Sequence, residues 1–155
     1  MSSGFVSWSG CNPGPAEADA KRGILLFVYG TLRRGFPGPM ARWLQRKGRF
    51  QGSGWCKGRM YDAGAYPVMV ASGRAGDLVR GDVYLLERPQ AMLARLDRYE
   101  GCSRSARPPG EYQRERLRVT LDDGTMLDAW AYLYRYPTRA QRLIAGGDYL
   151  RYRLR

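Results

Sequence analysis

Glycine recurs within a stretch that otherwise favours β-strand. Residues 49–61 contain several aromatic residues together with Gly52, Gly54 and Gly58. Aromatic side chains favour extended backbone, whereas glycine inside a strand marks a bulge, a sharp bend or the close approach of another segment. Glycines at this frequency are typical of a sheet that curls into a barrel, so the stretch predicts a strongly bent β-sheet.

Hydrophobic patterning predicts further strands and two short helices around this bend. Continuous apolar runs and apolar–polar alternation indicate the strands, and Asp122, Asp123 and Gly124 predict a hairpin turn. Helices are predicted near Pro39 and Pro89, where apolar residues follow at helical spacing. The predicted strands span residues 24–29, 49–61, 66–70, 78–86, 117–121 and 126–134. The predicted fold class is therefore α+β, a small, strongly bent, mostly antiparallel β-barrel with short flanking helices.

The chain of 155 residues is long enough for one hydrophobic core and short for two. Residues 1–22, rich in Ser, Gly, Pro and Ala, are predicted to form a flexible N-terminal leader, and residues 23–155 a single domain. The longest apolar run is too short to cross a bilayer, and the N-terminus lacks the pattern of a signal peptide. Three cysteines without C-x-x-C spacing favour a reducing compartment. We therefore predict a cytoplasmic protein without a membrane partner.

The chain contains no histidine, which limits the chemistry it can perform. Ser-His-Asp and Cys-His catalysis are excluded, and so is a zinc site of the HExxH type. In an enzyme of this sequence, proton transfer falls to Asp, Glu, Tyr, Lys, Cys or water.

The net charge is +12, from 26 basic and 14 acidic residues. Such a balance favours anionic ligands and allows nonspecific binding of nucleic acid. The basic residues are nevertheless scattered from Arg22 to Arg155 without a run of five, which is typical of a solvated surface. Because the sequence also lacks an RNA-binding motif, nucleic acid ranks last among the predicted partners.

The predicted strand 24–29 runs directly into the segment Tyr29–Gly35, with the sequence YGTLRRG. Gly30 can adopt backbone angles closed to other residues, so that successive N–H groups point into one cavity. A turn of this kind suits a carboxylate or a developing oxyanion. A plain glycine between strand and loop is the alternative, and the local sequence alone favours it.

A glutamate, Glu100, stands at the end of the second predicted helix, before Gly101. The helix dipole disfavours a carboxylate there, so the position predicts a raised pKa and suits a group that takes and returns a proton near neutral pH. An ordinary surface glutamate is the alternative, and the local sequence alone favours it. Asp97, on the preceding turn, is predicted to be a structural partner. Most tyrosines are assigned to the core, but a few are expected to offer hydroxyls to a small polar ligand.

Several segments, in their order and spacing, resemble the gamma-glutamylcyclotransferase-like family, also called AIG2-like. The resemblance covers about residues 24–152. Its first and fourth segments, in this order with the segment from Tyr66 between them, make a specific signal, whereas any one alone is weak. The segments are Phe27–Gly35, Tyr66–Val70, Val79–Tyr84, Leu96–Gly101, Tyr112–Arg114, Ala129–Tyr132 and Ile144–Tyr149.

The resemblance implies a barrel-like α+β fold and an enzyme that cyclises gamma-glutamyl amines, amino acids or peptides. The substrate's alpha-amine attacks its own side-chain carbonyl, which yields 5-oxoproline and a free amine without a cofactor or a metal. Glu100 matches the family's acid-base glutamate. The substrate-binding candidates are Tyr29, Gly30, Thr31, Leu32, Arg33, Tyr66 and Tyr112.

Two segments depart from the family pattern, namely Phe36–Met40 and the Pro-rich stretch Cys102–Gly110. Both are expected to flank the pocket, which predicts an unusual leaving group. The alternative function is a catalytically silent module of the same fold that binds a small anion. The sequence assigns no oligomeric state.

Overall fold

The computed structural model describes residues 23–100 and 112–154, without the side chain of Glu100. Eight strands and three helices lie within these residues. In chain order they are β1 (Ile24–Val28), α1 (Pro39–Lys47), β2 (Arg49–Lys57), β3 (Arg59–Asp62), β4 (Pro67–Val70), β5 (Leu78–Leu86), α2 (Pro89–Glu100), β6 (Tyr112–Leu121), β7 (Met126–Tyr134), β8 (Arg142–Leu143) and α3 (Tyr149–Arg153).

Five strands close into a barrel in the order β1-β5-β2-β6-β7. Every neighbouring pair is antiparallel except β1 and β7, which run parallel where Leu26 lies beside Trp130 and complete the ring. The remaining strands form a small sheet in the order β4-β3-β8. The predicted fold class, a mostly antiparallel barrel with short flanking helices, is confirmed.

The glycines of β2 explain how so short a barrel closes. The pairing of β2 with β5 shifts register between Phe50 and Gly52, and Gly52 has a φ of 149°. At Gly54 a side-chain carbon would lie 2.3 Å from the carbonyl oxygen of Thr120 on β6, too close for any other residue. A bulge and a close approach of two backbones therefore bend this strand, as the glycine pattern predicts.

Strand β1 is buried on both faces, so its alternating side chains enter two different hydrophobic clusters. Leu26 and Val28 pack in the cluster that also contains Leu44 of α1 and Leu96 of α2. Phe27 packs in the other cluster. Both longer helices are thereby held against the same side of β1, next to the point where this strand ends.

The sequence does not predict the helix α3. This helix has five residues, too few to show helical periodicity, and the pattern of residues 143–152 indicates no regular element. Its N-terminus is capped by Asp148, whose side chain accepts a hydrogen bond from the backbone N–H of Arg151 at 3.2 Å. The cap and the buried Tyr149, rather than an amphipathic repeat, hold the helix in place.

Two of the predicted features fall outside the described residues: the leader at residues 1–22 and the stretch from Gly101 to Gly110. The division into a leader and a domain of residues 23–155 therefore stays a prediction. Within residues 23–100 and 112–154, no helix is long and apolar enough to cross a membrane.

Candidate active site

A cavity of about 670 Å³ opens where β1 ends. Its volume falls within the range of about 300–1,000 Å³ that is usual for small-molecule sites. The lining comes from the end of β1 and the turn after it, from the start of α1, from the approach to β4, from the end of α2 and from β6 and β7. The lining residues are Phe27–Leu32, Phe36–Met40, Ala65–Pro67, Arg98, Tyr99, Tyr112 and Tyr132.

The lining divides into a buried floor and an exposed rim. Tyr29, Leu32 and Tyr132 are buried and form part of the floor. Tyr66 and Tyr99 remain 37% and 44% exposed and belong to the rim. A ligand that fills the cavity therefore meets a desolvated floor and a rim that is open to water.

The turn after β1 is closed by a hydrogen bond from the backbone N–H of Arg33 to the carbonyl of Gly30, at 3.0 Å. Gly30 is required here because a side-chain carbon would lie 2.5 Å from Cγ of Pro67. The glycine of the YGTL segment and the proline of the YPVMV segment are thus packed directly against each other. This contact joins the two segments in the fold.

The turn is also joined to the end of α2. The hydroxyl groups of Thr31 and Tyr99 are hydrogen-bonded at 2.8 Å. Among the described residues, no acceptor is bonded to the backbone N–H of Thr31 or of Leu32. Both N–H groups belong to residues that line the cavity, where hydrogen-bond donors suit an anionic group.

The floor is braced by a chain of polar contacts. The hydroxyl of Tyr29 donates to the carbonyl of Tyr132 at 2.5 Å, and the hydroxyl of Tyr132 donates to Asp97 at 2.6 Å. Asp97 also pairs with Arg114, with Nε 3.0 Å from its carboxylate. The prediction that Asp97 is a structural partner is confirmed.

The structure places most of the predicted substrate-binding residues around this one cavity. Tyr29, Gly30, Thr31, Leu32, Tyr66 and Tyr112 all line it. Tyr112 lies on β6 and its hydroxyl is 3.5 Å from the carbonyl of Pro67. The sequence alone does not single out Tyr99, Tyr132 or Arg98. For Tyr99, which follows the inward-facing Leu96 by three residues, helical spacing is an available signal.

Arg33 lies outside the cavity lining and is only 7% exposed. Its guanidinium pairs with Asp148, 3.0 Å away, and with Asp82, 3.5 Å away. Both of these partners belong to the protein itself, so the predicted part of Arg33 in substrate binding stays a prediction. The sequence alone does not distinguish Arg33 from Arg34, because the buried and the exposed arginine are adjacent in the chain.

Glu100 is the last residue of α2 and directly follows the lining residues Arg98 and Tyr99. Its backbone therefore ends beside the cavity. Its side chain lies outside the described part of the chain, so its acid-base function stays a prediction.

Cys56 is buried on β2, and burial raises the pKa of its thiol to about 12. Only the thiolate is nucleophilic, so at neutral pH this residue is inert. We expect that Cys56 is not alkylated by iodoacetamide at pH 8 in the native protein and is alkylated after denaturation. Peptide mapping by mass spectrometry checks this expectation, and labelling of native Cys56 at the rate of the denatured protein would contradict it.

The architecture is that of AIG2-like proteins. The crystal structure of an AIG2-like protein from Mus musculus superposes with a TM-score of 0.63 at 27% identity, covering 81% of this chain and 87% of the mouse chain. A family model described as gamma-glutamyl cyclotransferase, AIG2-like, matches residues 26–151. The chain belongs to this family.

Two relatives agree with this assignment. A Methanocaldococcus jannaschii protein, named provisionally as a gamma-glutamylcyclotransferase, is 34% identical over 134 residues, which are 83% of this chain and 97% of the relative. The human gamma-glutamylaminecyclotransferase is 36% identical over 107 residues, which are 63% of this chain and 62% of the human protein. The resemblance in the seven sequence segments is thereby confirmed.

Proposed function

We propose that this protein is a gamma-glutamyl cyclotransferase that converts a gamma-glutamyl amine, amino acid or peptide into 5-oxoproline and a free amine. The observation that carries the proposal is the meeting of the Tyr29–Leu32 turn and the end of α2 at one cavity. Family membership supports the same reaction. We also propose that the protein is cytoplasmic and that its partner is a small-molecule gamma-glutamyl substrate.

In this proposal the cavity acts mainly by holding the substrate in the conformation that brings its two reacting groups together. Nucleophile and electrophile belong to one molecule, so holding the alpha-amine near the side-chain carbonyl supplies much of the rate enhancement. The backbone N–H groups of Thr31 and Leu32 are assigned the stabilisation of negative charge on the substrate, which their position in the cavity lining supports. The buried floor strengthens these interactions because water is excluded from it.

Glu100 is assigned the proton transfers. An alpha-amine has a pKa of about 8 and is mostly protonated at neutral pH, so a base has to deprotonate it before attack. The new C–N bond forms as the bond to the leaving nitrogen breaks, and Glu100 returns the proton to that nitrogen. Atoms balance without water, since the substrate is divided into 5-oxoproline and an amine.

A binding module that lacks turnover is the second candidate. It is favoured by one feature of the described lining, which contains no acidic side chain. The described part of the lining therefore offers no carboxylate for proton transfer, which the proposal assigns to Glu100. Without that carboxylate in the cavity, the turn and the tyrosines would still bind a small anion.

The test is 5-oxoproline release, measured by mass spectrometry, from a panel of gamma-glutamyl amines and dipeptides. Release well above the uncatalysed rate supports the cyclotransferase. Ligand-induced thermal stabilisation without release, across the same panel, supports the binding module and refutes the enzyme.

The hydrogen bond between Thr31 and Tyr99 predicts a moderate effect of Tyr99→Phe. Loss of the hydroxyl removes the bond that joins the turn to the end of α2, so kcat/KM should fall about fivefold, the size of one ordinary hydrogen bond. Tyr136→Phe is the control, because Tyr136 is 38% exposed and lies outside the cavity lining. Equal kinetics in the two variants would show that the bond does not position the site.

A further inference from the structure

Arg98 is the only charged side chain in the described part of the cavity lining. It is exposed and lies in the last turn of α2, between the buried Leu96 and the rim residue Tyr99. Among the side chains that the structure describes, none forms an ion pair or a hydrogen bond with the guanidinium of Arg98. The described part of the rim thus carries one positive charge, which pairs with none of the described acidic side chains.

The nearest acidic residue along α2 does not neutralise this charge. Asp97 is occupied, since it accepts the hydroxyl of Tyr132 and pairs with Arg114. Arg95, on the preceding turn, stacks over Trp43 with its guanidinium carbon 4.8 Å from the ring centre, outside the cavity lining. The two arginines therefore have different surroundings, and Arg98 alone faces a ligand.

The two ends of a bound gamma-glutamyl conjugate would lie in different parts of the cavity. The N–H groups of Thr31 and Leu32 belong to the turn, in which Leu32 is buried at the floor and the hydroxyl of Thr31 is bonded to Tyr99 of the rim. The gamma-glutamyl group, which undergoes the reaction, is assigned to this turn. The leaving amine then extends towards the rim, where the exposed residues are Arg98, Tyr66, Tyr99 and two prolines, Pro37 and Pro39.

We propose that Arg98 selects substrates whose leaving amine carries a carboxylate, that is, gamma-glutamyl amino acids or peptides rather than gamma-glutamyl alkylamines. The inference rests on the proposed cyclotransferase function. A guanidinium pairs with a carboxylate through two parallel hydrogen bonds, and the flanking tyrosines and prolines offer apolar contact to the leaving group's side chain. Arg98 is thus a specificity-determining residue of the site.

The experiment compares two substrates that differ only in this charge, gamma-glutamyl-alanine and gamma-glutamyl-alaninamide. The wild type should prefer the acid in kcat/KM by about fivefold, the range of an exposed ion pair. Arg98→Gln should abolish the preference and Arg98→Lys should retain most of it. Arg95→Gln, on the same helix, should leave it unchanged, and 0.5 M salt should reduce it in the wild type.

Several outcomes would overturn the inference. A preference that persists in Arg98→Gln excludes a contact with the leaving group's carboxylate, while the cyclotransferase itself stands. An equal loss for both substrates would assign Arg98 to the carboxylate that they share. If neither these substrates nor the wider panel are turned over, the proposed function fails. Binding of the two compounds is then measured by calorimetry on Glu100→Gln and on Glu100→Gln/Arg98→Gln. Tighter binding of gamma-glutamyl-alanine than of its amide by the first variant, and not by the second, supports the inference. Equal binding of the two compounds by Glu100→Gln refutes it.

Discussion

Glu100→Gln is expected to lower kcat for 5-oxoproline release by about 10²–10⁴, the usual contribution of a general acid-base group. Glutamine has nearly the same shape as glutamate but takes up no proton at neutral pH. The substrate amine would then remain protonated and could not attack. KM should change little, because the turn at Thr31 and Leu32 and the tyrosines of the lining are untouched.

The matched control is Glu115→Gln. Glu115 is an exposed glutamate on β6 and lies outside the cavity lining. Full activity in this variant, beside the loss in Glu100→Gln, would assign the effect to the end of α2. Turnover within twofold of wild type in Glu100→Gln would remove Glu100 from the mechanism, and proton transfer would then have to come from a tyrosine hydroxyl or from water.

The barrel can be predicted from the sequence because local signals agree with the global fold. Predicted strand 78–86 coincides with β5, and return strand 126–134 coincides with β7. Glycine at positions 52 and 54 marks the bend of β2 without knowledge of its pairing. Strand order and the parallel closure of β1 on β7 cannot be predicted from the residues alone, since they depend on contacts between segments about a hundred residues apart.

The candidate site is predictable only where its residues stand together in sequence. The Tyr29–Leu32 segment is recognisable because four consecutive residues carry the signal. The burial of Arg33 could not be predicted, because it depends on partners distant in sequence, here Asp82 and Asp148. Arg98 escapes prediction because one arginine among 23 carries no local mark.

Asp82→Asn is expected to destabilise the fold by about 3 kcal/mol, as removal of one partner from a buried ion pair does. Asp82 is 2% exposed and its carboxylate accepts from the hydroxyl of Ser53 at 2.7 Å and from the backbone N–H of Arg34 at 2.8 Å. The guanidinium of Arg33 lies 3.5 Å away. Asparagine keeps the volume but removes the charge, so Arg33 would remain buried with Asp148 as its other acidic partner.

Asp128→Asn is the control for this change. Asp128 also faces two arginines, Arg118 at 2.8 Å and Arg116 at 3.6 Å, but its side chain is 40% exposed. Water screens such a pair, so its loss should cost about 0–1 kcal/mol. The measurement is the free energy of unfolding from urea denaturation at neutral pH. If Asp82→Asn lowered the free energy of unfolding no more than Asp128→Asn does, burial would add nothing to the stability of the Arg33–Asp82 ion pair.

The contacts of Asp82 also predict how substitution of Arg33 should change KM and the free energy of unfolding. The bond from Asp82 to the N–H of Arg34 fixes the far end of the turn that begins at Gly30, so the ion pair acts on the cavity through the backbone. Arg33→Gln should therefore lower the free energy of unfolding by a similar amount while KM stays near the wild-type value in the folded protein. A large rise in KM with unchanged stability would reverse this assignment and return Arg33 to the substrate carboxylate. The two parameters thus distinguish an arginine that holds the turn from one that holds the ligand.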